Sequence, residues 1–558
     1  YINFGHRVTP TFHYNLRLST FYSGSQDGDP IWWDDIRKLG DPVFNSALVD
    51  TGVVKRFYYY LPLYEKVQCP GVPVASFNKL DQSYWGVRLD ISKQFGKNFD
   101  LSMGGDFNYY TLRHYSIQTL KMLQGFSNAE KVKGTPQEIS DYWIYRRYGS
   151  VQNYGYDIYG NKINKSRTYF SNIDGSLVPF DGHDSPPHPI NASFYVQEIA
   201  KFNSMVVNGG IRFDLFDTGI EQLRDWREIK RDSTGFVSEE NFVNRSPYTF
   251  ISPRLGISFP LTDHSVFHVQ IGKYVHMPKF NDLFESRQYF LDRLFAGYKD
   301  QFPNPNLKPE ELTQYEIGWV YNFGKFSSFS VTAFSRTYSS LTRTGILETN
   351  IPGVSSVILT ENGGWSTVKG LSLELYLYRT NGFALAANYT LSRANGTGSA
   401  SDSHFEDALS QTENFLPVLV APLDFDERHK GMIDLDICTK PKSGPRIFGK
   451  YLFANLGLNL LFTFHSGAHF TRIKNGDGFS EVFGYYVAQP IETPNSSTLP
   501  WFYQVDTKFG KSFYIGPINF NLYVWVINLL NTKSVTAVFR QTGRPDTDGW
   551  LEADTGKS

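Results

Sequence analysis

The sequence predicts an all-β fold, a transmembrane antiparallel β-barrel of about fifteen strands, and three observations carry that reading. Apolar and polar residues alternate with a period of two in one segment after another. The connections between these segments are alternately very short and very long along the whole chain. No apolar run reaches the ~20 residues that a spanning helix needs. The negative mean hydropathy fits as well, because barrel strands give half their residues to a polar lumen and the loops are hydrophilic.

The strands can be followed in order. Val87, Leu89 and Ile91 interleave with Arg88, Asp90 and Ser92. Tyr315, Ile317, Trp319, Tyr321 and Phe323 lie on one side of a strand whose other side holds Gln314, Glu316, Gly318 and Asn322, with Val320 the apolar exception. Leu371, Leu373, Leu375 and Leu377 alternate with Ser372, Glu374, Tyr376 and Tyr378. Ile433, Leu435 and Ile437 flank Asp434 and Asp436. Leu456, Leu458, Leu460, Phe462 and Phe464 alternate with polar residues, broken by Leu461, and Phe520, Leu522, Val524 and Val526 repeat the pattern. An aspartate or arginine between leucines is costly in a dry core. It is cheap where one face meets lipid and the other a wet lumen. The leucines and valines are therefore expected to face lipid, and Glu374, Asp434, Asp436 and Asn459 the lumen.

Short turns are expected at 94–98, 202–205, 260–265, 323–327 and 379–383, with slightly longer ones at 440–449 and 511–517. Long loops are expected at 23–79, 116–190, 218–248, 276–310, 340–363, 393–425, 466–499 and from 529 onward. Stretches 31–48 and 135–149 can each carry a short helix. This alternation places all short turns on one side of a membrane and all long loops on the other. A soluble propeller predicts shorter strands and no such alternation.

Composition removes several functions. The formal net charge of -1 gives no electrostatic case for nucleic acid. Cys69 and Cys438 fall at opposite ends of the expected barrel, which argues against a mutual disulfide, and neither has metal-site spacing. His183 and His188 flank Asp184, but Pro186 and Pro187 separate them and no third soft ligand follows. His465 and His469 sit four apart at a strand end, where they share no helix face. KNGDGFSE at 474–481 reads as a turn rather than a calcium loop. Asp424, Asp426, Glu427, Arg428 and His429 read as a wall-to-plug or wall-to-water network. With no nucleophile elbow, phosphate loop or dinucleotide fingerprint, no catalytic residue, metal or cofactor is expected. Trp32, Trp33, Trp143, Tyr145, Tyr485 and Tyr486, all in long loops, are the candidate ligand-stacking residues, and anchoring loops on one another is their ordinary alternative.

Against this background the segment Asn304-Pro305-Asn306-Leu307-Lys308-Pro309-Glu310, followed by Tyr315-Glu316-Ile317-Gly318, resembles a mid-barrel motif of TonB-dependent outer-membrane receptors, particularly the large Bacteroidota type. Segments 192–217, 252–284, 425–431 and 524–550 resemble that family in the same order. The resemblance implies a twenty-two-strand barrel around an N-terminal plug preceded by an energy-coupling box. On that scheme residues 1–558 form one barrel domain, the seventh to twenty-first strands, with the plug, the first strands and the final strand outside this chain. It further implies a bacterial outer-membrane location, contact with outer-membrane lipid, a TonB energy-coupling partner, a possible surface-lipoprotein partner, and import of a scarce nutrient such as a siderophore, glycan or peptide. The competing reading is a structural or secretion-associated barrel that holds partner proteins without pumping a solute.

Overall fold

The computed structural model describes residues 1–28, 30, 76–117, 151–157, 160–165, 169–171, 177–179, 185–230, 237, 239–295, 300–324, 327–403, 419–447, 450–474 and 490–549. Among the described residues sixteen principal strands form one antiparallel up-and-down sheet. They are β1 Ile2–Thr9, β2 Phe12–Asp27, β3 Phe77–Phe95, β4 Phe99–Ile117, β5 Ile190–Phe202, β6 Met205–Asp217, β7 Tyr248–Thr262 and β8 Ser265–His276. The second half comprises β9 Glu310–Asn322, β10 Ser327–Ile351, β11 Val354–Thr380, β12 Phe383–Gly396, β13 His429–Cys438, β14 Leu456–His465, β15 Phe502–Ile515 and β16 Ile518–Val526. Each strand pairs with the next in sequence. The sixteenth strand arises because Pro10 and Thr11 make a tight turn inside what reads as a single strand region.

The expected facing is realised through register. Leu373 lies beside Val331 and Tyr389, and Leu375 beside Phe329 and Ala387, while Glu374 between them lies beside Ser330 and Asn388. Ser330 donates to the Glu374 carboxylate at 3.3 Å. Leu458 pairs with Phe509, which pairs with Val524, and all three share the apolar face. Asp436 pairs with Asn459, whose amide donates to Asp434 at 2.6 Å on the polar face. A one-residue slip would turn each of these carboxylates into hydrocarbon.

Most short turns fall where the sequence places them, but the connection expected at 440–449 runs from Cys438 to Leu456 and carries a small strand pair, Arg446–Ile447 with Lys450–Tyr451, and one long loop is no loop at all. Residues 340–363 form no loop. They extend β10 and β11 into a paired hairpin closed at Pro352-Gly353, with Gly353 at φ 83°. Proline followed by a positive-φ glycine is a type II turn signature, and the flanking Ile, Leu, Val and Thr residues favour strand. The strands of this hairpin are 25 and 27 residues long, against the ~9–11 needed to cross a bilayer, so it rises well above the membrane.

Candidate functional site

Among the described residues two apolar cores stand at the outer ends of the strands. One is set inside the mouth: Leu112, Tyr154, Phe216, Leu283, Phe284 and Leu307 are buried together, with Tyr110, Tyr248, Met277 and Phe280 packed against them. Leu112, Phe216 and Tyr248 share their strands' lumenal parity with Asp106, Asp214 and Ser252, so residues 277–284 fold into the opening. The other joins Leu223, Trp226, Ile229 and Val237 to the helix Arg287–Phe295 and the raised hairpin, with Phe290, Leu294, Phe302, Ile351 and Val357 buried among them. Helix α1 spans Phe280–Leu283 and α2 Arg287–Phe295. Phe290 meets Phe302 edge-on at 4.9 Å and Trp226 at 5.1 Å.

The Asn304–Glu310 motif holds these cores to the wall. Asn304 donates to the Thr360 carbonyl at 2.9 Å and accepts from the Asn306 amide at 2.9 Å. Tyr248 donates to the Asn306 carbonyl at 2.8 Å, and Gln222 to that of Pro305 at 2.9 Å. Asn362 brackets Lys308, accepting from its N–H at 2.7 Å and donating to its carbonyl at 2.9 Å. Leu307 is fully buried. The motif is thus a staple between raised hairpin, mouth and wall.

A small recess of about 210 Å³ opens beside it, lined by His276, Lys279, Asp282, Glu310, Arg343 and Ser399, among others. His276 stands 3.7 Å from Glu310, and Arg343 is paired with Glu361 at 2.7 Å. Burial pushes the Asp282 carboxyl up, with Glu310 and Asp402 adding to the effect. Deeper in the wall a recess of about 650 Å³ is bordered by Arg88, Tyr195, Arg212, Arg254, His268 and Gln270. Its charges are largely mutually satisfied: Arg88 grips Asp90 at 2.7 and 3.0 Å, Tyr195 donates to Asp90 at 2.8 Å, and Arg212 reaches Asp214 at 2.8 Å. Arg254 is stacked on the Tyr274 ring at 4.3 Å instead of on a carboxylate, so the lining is polar with a positive bias.

A third arrangement clasps the outside of the wall above the membrane. Asp81 accepts from Tyr22 at 2.8 Å and from Tyr156 at 2.6 Å, and pairs with Lys162 at 2.5 Å. Arg113 donates to the carbonyls of Gly155 and Ile163 and to Asn164. Burial pushes the Asp81 carboxyl up, but the bonds from Lys162, Tyr156 and Tyr22 outweigh it and hold the group below the usual carboxylate range. Burial together with Asp81 pushes the Tyr156 phenol up.

Asp424, Asp426, Glu427, Arg428 and His429 serve the wall and its neighbouring loops. Asp426 accepts from the Ala394 amide at 2.9 Å and faces His469 at 3.5 Å, Glu427 faces His465 at 3.2 Å, and Tyr389 shares a 2.7 Å hydrogen bond with His429. Asn495 donates to Asp424 at 3.0 Å. The two histidines are held by different carboxylates, so they do not converge on one point. Trp32, Trp33, Trp143, Tyr145, Tyr485 and Tyr486 lie outside the described residues, as do His183 and Cys69. The described aromatics of 276–310 are turned largely into the two cores. Sequence reasoning missed Glu285. Its Oε1 accepts from Gln152 at 3.1 Å, its buried Oε2 has no partner among the described residues, and burial pushes it up to about 8. The one signal was a carboxylate between Phe284 and Ser286 in a loop rich in apolar residues.

A family model described as TonB dependent receptor-like, beta-barrel matches residues 14–529. The chain belongs to that family. It is accordingly an outer-membrane β-barrel of the kind found in Gram-negative bacteria, and the family consists of receptors and transporters. Among solved structures it is similar to the copper transporter OprC, at 12% identity and a TM-score of 0.47, covering 95% of this chain and 60% of that one. The FrpB iron transporter from Neisseria meningitidis is similar at 12% identity and a TM-score of 0.47, covering 93% and 56%. The ferric-catecholate import receptor Fiu from E. coli K12 follows at 10% and 0.46, covering 97% and 61%. The chain thus spans less than two thirds of the length of these structures. No curated protein sequence matches it.

Proposed function

We propose that this chain forms the wall and outer mouth of a TonB-coupled importer that captures a scarce nutrient, of the siderophore, glycan or peptide class, at its outer face. The observation that carries the reading is the asymmetry between the two ends of the sheet. One end is closed by tight turns. The other bears two packed cores, one of them set inside the opening beside a mixed-charge recess. Capture at a preformed concave surface, followed by release into a polar lumen, suits this arrangement. Within this reading the wall charges Arg88, Asp90, Arg212 and Asp214 face the domain that gates the lumen, and TonB supplies the pull that moves it.

The test is uptake of labelled candidate nutrients by cells making the full-length protein, with and without TonB. Expected is TonB-dependent accumulation that is lost when residues 277–308 are replaced by a short linker, while the barrel still assembles. Accumulation unaffected by both changes sinks the proposal. Retention of a protein partner with no solute accumulated supports the structural or secretion-associated alternative.

A further inference from the structure

The lipid face of β5 carries a carboxylate. In this strand Ser193, Tyr195, Gln197 and Lys201 point to the lumen, bonded to Asp106, Asp90, Asn208 and Asp100 respectively. The opposite parity holds Ala192, Phe194, Val196, Glu198, Ala200 and Phe202, so Glu198 faces outward. It stands four residues above Phe202, which meets Phe99 edge-on at 6.4 Å in the lower aromatic rim. Four residues rise about 13 Å along the strand, which places the group inside the ~25 Å apolar band. Its Oε1 is buried and has no hydrogen-bond partner among the described residues. Flanking it in register are Leu101 and Gly209, and beyond Gly209 come Leu255 and Ile271. A carboxyl group turned toward hydrocarbon without a donor is unfavourable, and where such groups occur they are paired.

The matching cation lies in the same row. Lys93 of β3 pairs with Leu101, which pairs with Glu198, so the outward face reads Lys93, Leu101, Glu198 across three adjacent strands. Lys93 does not reach Glu198 in this structure. Its Nζ turns down over the Phe12 ring and to Thr11 at 3.5 Å. A row of cation, leucine and carboxylate has a particular symmetry. A two-fold axis along the membrane normal near Leu101 sets Lys93 against Glu198 of a second copy, and Glu198 against Lys93. Neighbouring strands are about 4.8 Å apart, so the two charges lie about 10 Å apart, on either side of the axis. Lys93 stands two residues above Phe95 and Glu198 four above Phe202, and the flexible lysine stem spans that offset. Gly209 leaves the surface beside Glu198 open to close approach: an added Cβ there would meet only Leu255, at 3.9 Å.

We propose that the outward face of β3–β5 is a dimer interface between two copies of this chain within the outer membrane, pinned by two reciprocal Glu198–Lys93 pairs around Leu101. The test uses the full-length protein in outer membranes, with Cys69 and Cys438 replaced by Ser and Leu101→Cys introduced at the axis. Mild oxidation should give a disulfide-linked dimer at about tenfold the yield of a control, Ile317→Cys, on the outward face of β9. Glu198→Lys or Lys93→Glu alone should cut that yield about fivefold or more, and the double reversal should restore it. Heat-modifiable gel mobility checks that each variant has formed its barrel, and Glu198→Gln supplies a milder change should the reversal fail to assemble. Equal yields from Leu101→Cys and Ile317→Cys, or indifference to both single reversals, overturn the proposal. So does a cross-linked product whose mass identifies a different partner.

Discussion

Leu373 and Phe302 are both held in place, by opposite means. Leu373 stays on the lipid face because Ser372 and Glu374, its chain neighbours, must face the other way, and because Val331 and Tyr389 flank it in register. Phe302 stays in the outer core beneath the raised hairpin, the cap, because Phe290, Trp226, Leu294 and Val357, drawn from distant parts of the chain, close around it. The wall is specified by period and hydrogen-bond ladder, so any adequate apolar residue serves at a lipid position. The cap is specified by shape, as the interior of a soluble domain is. One chain therefore carries two kinds of constraint, which separate at the membrane's outer edge.

Mutations can break or sharpen that contrast. The largest effect is expected from Phe302→Ala, which should cost the cap about 3–5 kcal/mol through lost burial and the cavity left behind. Hydrogen exchange should show α2 and the 351–359 segment deprotected while β13–β16 are unchanged. Loss of protection throughout the barrel would mean that the cap and wall are one cooperative unit. In the wall, Leu375→Arg should cost about 2–4 kcal/mol on folding into lipid vesicles, whereas Glu374→Leu on the lumenal side should cost far less. Equal costs would refute the facing.

Smaller effects probe the polar joints. Glu285 has an ordinary value of 4.5 and is pushed up to about 8 beside the mouth core, next to Phe284 and bonded to Gln152, so the folded 280–295 segment holds a proton that the opened segment releases. Local stability of that segment should therefore fall as pH rises from about 4.5 to about 8 and then level off, and Glu285→Gln should abolish the slope. Exchange rates of 280–295 measured across that range decide it. Asp81 has the opposite sign. Its carboxyl is held low, so the clasp it forms is present above the ordinary range and released as pH falls through the depressed value. Asp81→Asn should loosen the contacts of Tyr156 and Lys162 by about 1–2 kcal/mol at neutral pH, read as a broadened distance distribution between spin labels on residues 160–165 and on β3.

How much of this was legible follows the same division. The wall could be read because a period of two needs only local sequence: Leu371–Leu377 and the Asp434–Asp436 pair announce their faces without a partner in view. Pro10–Thr11 was missed because a two-residue turn between mixed stretches such as Gly5–Thr9 and Phe12–Arg17 leaves little mark. The raised hairpin was missed because length alone suggested a loop, although Pro352-Gly353 was a usable turn signal. The cap was not legible. Nothing local says that Leu223 and Leu359 share one core, or that the described aromatics of 276–310 turn inward instead of toward ligand. Glu198 could have been found by asking which charge interrupts an apolar parity, since Val196 and Ala200 flank it on the same face.

The raised hairpin also fixes the order of events during assembly. Cap residues lie between Leu223 and Leu359, with β7, β8, β9 and β10 threaded among them. A loose chain would have to close that whole loop before gaining any of the contacts, whereas wall hairpins close over a few residues each. The wall should therefore form first and bring the cap's pieces within reach, leaving Trp226, Phe290 and Leu294 uncovered for a time on the outer surface. In that interval the protein is inserted but unfinished, and its uncovered apolar surface sets a young molecule apart from a mature one. Pulse-labelled exchange during refolding should find β13–β16 protected before α2, and the reverse order would show that the cap assembles without its scaffold.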